Sequence, residues 1–127
     1  MGRVLVVDDD PSIRDMLRDV LTDDGHEVTT AGDGMEALEV LRNGEPFLVL
    51  LDLMMPRLDG LGVLRELENR PEIRGKSAVV VMSAADRLFA LSAILSTGVV
   101  AEQVAKPFEL DQMLDLVNRL APEVRAH

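Results

Sequence analysis

A doubly wound α/β domain built on a five-stranded parallel sheet is what this sequence predicts, on three observations. Short apolar runs alternate with segments of helical period; three of the runs are almost wholly apolar; and two others carry polar residues within them. Alternating strand and helix patterns indicate layers of both kinds in one domain. The runs "RVLVV" (3–7), "FLVLL" (47–51) and "AVVVM" (78–82) suit central strands covered on both faces. The runs "EVTTA" (27–31) and "AEQVA" (101–105) suit strands with one face or one edge in water.

Helices fill the intervals. Ile13, Met16, Leu17, Val20 and Leu21 make one apolar face over 12–23, with Pro11 in the first turn and either Asp10 or Ser12 as the cap. Over 34–42, Asp33 followed by Glu36 resembles a capping box. Leu61, Leu64 and Leu67 mark a helix over 60–69, and Leu88, Leu91 and Leu95 mark one over 86–96. The last, over 108–120, presents Leu110, Met113, Leu114, Val117 and Leu120. With strands two and five at the edges and right-handed crossovers, the strand order becomes 2-1-3-4-5, the flavodoxin-like order. Sheets of that order bind ligands at the carboxyl ends of strands one and three, which places the crevice beside Asp8, Asp9 and Asp52.

The chain of 127 residues, 47% of them apolar, is enough for one core, and residues 1–127 are expected to form a single domain. A net charge of −10 repels phosphate backbones and anionic lipid, so neither nucleic acid nor membrane is expected as a direct partner. No run approaches the length of about 20 residues that a membrane span needs, and a soluble cytoplasmic protein is the expectation. There is no cysteine, which removes thiolate chemistry and cysteine zinc sites. Neither histidine, His26 or His127, has sequence neighbours that suggest catalysis.

Asp8 and Asp9 close strand one, Asp52 follows strand three, Ser83 follows strand four and Lys106 follows strand five. Singly, each has an ordinary explanation: an acid before a helix caps it, a serine caps the next helix, and a lysine before a proline is solvated. Together they converge on one edge of the sheet. Two carboxylates about 4 Å apart repel by about 4 kcal/mol at an effective dielectric of 20, so three of them need a cation. A lysine and a hard divalent ion would supply it, and oxygen-only donors favour Mg²⁺. With the ion in place one carboxylate becomes a nucleophile toward phosphorus, while Ser83 and Lys106 are placed to meet the arriving phosphoryl group.

The blocks "VLVVDDDPSIR", "LLDLMMPRLDG", "VVVMSA" and "AKPF", in order and suitably spaced, resemble a two-component response-regulator receiver domain of the chemotaxis-regulator type over nearly the whole chain. The resemblance implies that Asp52 accepts a phosphoryl group from a sensor histidine kinase or phosphotransfer protein. It implies Mg²⁺ held by Asp8, Asp9, Asp52 and the Met54 backbone carbonyl, with Ser83 and Lys106 as the phosphoryl-sensing pair. It also implies a cis Lys106–Pro107 bond, a loop shaped by Pro56, Asp59 and Gly60, and output through the face of helix four, strand five and helix five. Such a domain is no enzyme beyond catalysing its own phosphoryl uptake and loss, and it works as a monomer or weak dimer.

One departure concerns the readout. Relatives carry an aromatic residue three positions before the lysine, where this chain has Gln103, and the segment from Gly98 to Lys106 is one residue longer than usual. Glu102 or Val104 could take the neighbouring place, and neither is aromatic. A phosphate-insensitive interaction scaffold of the same fold is therefore the main alternative. The chain ends at "APEVRAH" without an effector domain, as a stand-alone receiver or as the receiver part of a longer regulator. A haloacid-dehalogenase-like phosphatase would need an acid at Met54, a P-loop is absent, and three acids after strand one would repel a flavodoxin's phosphate.

Overall fold

A computed structural model of the chain describes residues 2–42, 47–53, 60–69, 78–84 and 100–124. Five strands, β1 (Arg3–Val7), β2 (Glu27–Ala31), β3 (Leu48–Asp52), β4 (Ala78–Ala84) and β5 (Val100–Lys106), form one parallel sheet in the order β2-β1-β3-β4-β5. The described helices are α1 (Pro11–Asp23), α2 (Gly34–Leu41), α3 (Gly60–Glu68) and α4 (Leu110–Val124). The helix expected over 86–96 lies outside the described residues.

Alternation within the central strands divides the core in two. Leu5, Val7, Val49, Leu51, Val79 and Val81 face α2 and α3, and pack with Leu38, Leu41, Val63, Leu64 and Leu67. Val4, Val6, Leu48, Leu50, Val80 and Met82 face α1 and α4, and pack with Leu17, Leu21, Met113, Leu116 and Val117. Both faces of β1, β3 and β4 are therefore dry, which is why their runs carry no polar alternation.

The helix ends follow their local chemistry. Asp10, not Ser12, caps α1: its side chain accepts from the Ser12 N–H at 2.9 Å, and Pro11 opens the helix where no N–H is needed. At the other end Gly25, at φ 95°, closes a Schellman turn in which Gly25 N–H donates to Thr22 O and His26 N–H to Leu21 O. Asp33 caps α2 by accepting from Glu36 N–H at 3.0 Å, but Glu36 returns to the Gly32 N–H at 3.2 Å rather than to that of Asp33. The capping box is thus displaced by one residue. Helix α4 begins at Leu110, two residues after the expected start, and runs through Pro122 to Val124.

A β-bulge interrupts the β4–β5 ladder near the start of β5. Val79 pairs with Val100 and Val80 with Glu102, which leaves Ala101 unpaired. The bulge reverses the faces of the strand at that point. Val100 packs with the α2 and α3 core, and Val104, four residues on, packs with the opposite core. Downstream the register is regular: Gln103 pairs with Val81, Ser83 with Ala105 and Ala84 with Lys106. Gln103 stands three residues before the lysine, and its side chain is exposed.

His26 sits at the opposite edge of the sheet from the acids. Its ring is buried, accepts at Nδ1 from Gly2 N–H and meets the Asn118 Oδ1 at 2.9 Å through Nε2, while Asn118 donates to Asp24. This network ties the α1–β2 turn to α4 and takes no part in the acidic site.

Candidate functional site

Strand ends bring the acids together. Asp8 follows β1 directly and Asp52 ends β3, and β1 and β3 are neighbours, so the two carboxyl groups meet where the strand order reverses. Asp8, Asp9 and Asp52 each offer a carboxylate oxygen within 4.8 Å of the others. Asp8 and Asp52 are buried and Asp9 is exposed, so the cluster opens to solvent on the Asp9 side.

Asp8 is held on every polar group. Its N–H donates to Ala31 O, its carbonyl accepts from Arg14, Oδ1 accepts from Asp10 N–H and Oδ2 accepts from Lys106 Nζ at 2.7 Å. Lys106 also lies 3.5 Å from Asp52 Oδ2, and it reaches both carboxylates from the end of β5, just before the cis Lys106–Pro107 bond. Burial alone disfavours the Lys106 ammonium. The hydrogen bond and charge of Asp8, and then the charge of Asp52, outweigh it, and the pKa is raised from its ordinary 10.5.

A raised folded-state pKa means that the ammonium's stabilisation is complete below pH 10.5 and is lost as pH climbs through the higher folded value. The difference in urea midpoint between the wild type and Lys106→Met is therefore expected to stay flat from about pH 7 to about pH 10 and to shrink only above that. A difference already shrinking near neutral pH would contradict this ordering.

Ser83 ends up one residue beyond Met82, the β4 partner of Asp52. Its Oγ is buried and, among the described residues, has no hydrogen-bond partner. Buried hydroxyls are normally paired, and an unmade bond costs about 1–3 kcal/mol. Ser83→Ala is accordingly expected to raise the unfolding free energy by about 1 kcal/mol in urea denaturation. A loss of similar size would show that the hydroxyl is satisfied in the folded protein.

The donor set suits a hard cation beside an incoming anion. Among the described residues three carboxylates converge, the Lys106 ammonium is shared between two of them, and the Ser83 hydroxyl lies without a partner toward the end of the adjacent strand. Met54, Pro56 and Asp59 lie outside the described residues, and Gly60 opens α3. Sequence reasoning overlooked Arg14, whose place in the first turn of α1 reads as a solvated charge. It also overlooked the buried role of His26, which no pattern announces.

The family model for the response regulator receiver domain matches residues 4–118. The chain is 39% identical over 125 residues to the response regulator MprA of Mycobacterium sp. (strain KMS), covering 95% of this chain and 53% of that protein. The chain thus spans about half the length of the curated relatives it matches. Among solved structures, a CheY-like receiver domain protein from Methanospirillum hungatei superposes with a TM-score of 0.82 at 26% identity, covering 98% of this chain and 97% of that one. Response regulator TrrA from Thermotoga maritima, solved in complex with Mg²⁺ and BeF, gives 0.78 at 34% identity, covering 94% and 99%. Among the described residues no helix is long and apolar enough to cross a membrane. With five parallel strands in the 2-1-3-4-5 order, acids clustered at the strand ends and a family match over most of its length, the chain belongs to the response regulator receiver domains of two-component signalling.

Proposed function

We propose that this receiver, read as a single domain over residues 1–127, is a switch set by phosphorylation of Asp52. The donor is the phosphohistidine of a sensor kinase or phosphotransfer protein, or a small acyl phosphate. One carboxylate oxygen of Asp52 forms a bond to phosphorus as the donor's bond to phosphorus breaks, P–N in phosphohistidine or P–O in an acyl phosphate, and the electron pair leaves with the imidazole or the carboxylate. Asp8, Asp9, Asp52 and the Met54 carbonyl would hold Mg²⁺. When bound, the ion screens the cluster from the anionic donor and stabilises charge on the transferring oxygens.

The Ser83 Oγ, buried and without a partner among the described residues, is the observation that carries this reading. A phosphoryl oxygen on Asp52 gives that hydroxyl an acceptor, and Lys106, already 3.5 Å from Asp52, exchanges part of its contact with Asp8 for the new charge. Movement of β5 residues then reaches the groove between β5 and α4, lined by Glu102, Gln103, Gln112, Asp115 and Arg119. That groove, with the helix expected over 86–96, is the proposed output face. The exposed Gln103 in place of an aromatic residue supports a readout that does not depend on a ring turning inward.

Incubation with acetyl phosphate and Mg²⁺ tests the switch. The expected result is an intact-mass gain of one phosphoryl group that is labile to hydroxylamine and absent with a chelator. No gain, even with a kinase partner, would favour the phosphate-insensitive scaffold.

A further inference from the structure

Arg14 does not extend into solvent. It folds back from the first turn of α1, and its Nη1 donates to the Asp8 backbone carbonyl at 2.9 Å. That carbonyl lies one residue past Val7↔Ala31, the last pair of the β1–β2 ladder, and Asp8 is 0% exposed. A buried carbonyl beyond the ladder needs a donor from elsewhere, and Arg14 provides a charge-assisted one. The guanidinium lies against the β2–α2 connection. A Cβ at Gly32 would sit 3.1 Å from Arg14 Nη1 and 3.8 Å from Glu36 Oε2. Glu36 in turn holds the Gly32 N–H. Arg14 therefore fills a slot between two loops at the carboxyl edge of the sheet.

We propose that Arg14 is a positioning residue that sets the angle between the Asp8 and Asp9 carboxylates, an inference that rests on the Mg²⁺ reading of the site. The carbonyl it holds belongs to the peptide joining the two residues. The Asp8 side chain is already fixed by Asp10 N–H and Lys106, so rotation of that peptide moves Asp9 relative to a stationary Asp8. Two ligands on one peptide hinge need that hinge locked, and Arg14 together with its backing at Gly32 locks it.

The test is Mg²⁺ binding to the whole chain, followed by calorimetry without any phosphoryl donor, with circular dichroism to confirm folding. Arg14→Met is expected to raise the Kd about tenfold, the scale of losses when a group orienting a metal ligand is removed. Arg14→Lys keeps the charge and a donor and should recover part of it. Gly32→Ala keeps the charge but displaces the guanidinium, and should weaken binding by a smaller factor. Combined with Arg14→Met it should add nothing, because the group it displaces is gone. A Kd within about twofold of wild type in folded Arg14→Met, or additive effects of the two substitutions, overturns the proposal. If Arg14→Met does not fold, an unchanged Kd in Gly32→Ala overturns it. Wild-type protein that binds no Mg²⁺ overturns the reading of the site itself, and this inference with it.

Discussion

Asp52→Asn is expected to reduce phosphorylation by acetyl phosphate from one group per chain to none detectable by intact mass. The substitution keeps the size of the side chain and its place at the end of β3, but a neutral amide oxygen is a poor nucleophile toward phosphorus. Folding should survive. Asp52 is 4% exposed and shares the site with Asp8 and Asp9, so removing one charge lowers the repulsion within the cluster. A mass gain that persists in the variant would place the acceptor elsewhere, and Asp9, the exposed acid of the cluster, would be the first residue to examine.

Lys106→Met should have the largest effect on stability. It leaves the Asp8 carboxylate, fully buried and 2.7 Å from the ammonium in the wild type, without its cation. Breaking a buried pair from one side costs about 3 kcal/mol, a large share of the 5–15 kcal/mol that holds a typical domain folded. The loss should appear in urea denaturation with a chelator present and be largely recovered by Mg²⁺. The variant should also bind Mg²⁺ more tightly, since no ammonium competes for Asp8 Oδ2. Unchanged chelator-treated stability would mean that water, not Lys106, compensates Asp8.

The sheet was legible because its central strands are dry on both faces, and Val4–Val7 and Val79–Met82 leave no other reading. The edge strands were legible for the converse reason, as Thr29 and Gln103 interrupt their runs. Bringing Asp8, Asp52, Ser83 and Lys106 to one edge follows from parallel topology alone, since every parallel strand ends on the same side. The bulge itself was not foreseen in the sequence. Alanine carries no signal for the irregular conformation at 101, and the reversal of faces shows only in which core Val100 and Val104 join. Arg14 was invisible for another reason: helical periodicity reports which residues are apolar, and cannot show that a polar side chain turns back toward the strand before it.

The bulge at Ala101 also bears on how the folded molecules treat one another in concentrated solution. Among the described residues β5 is the last strand of the sheet, with no further strand on its outer side. Regular edges of that kind invite the same edge of a second molecule to join them. An unpaired residue near the start of β5 bends the ladder that such a joining would require. The broken ladder and the net charge of −10, which repels like copies at longer range, both disfavour pairing of this edge with a second copy.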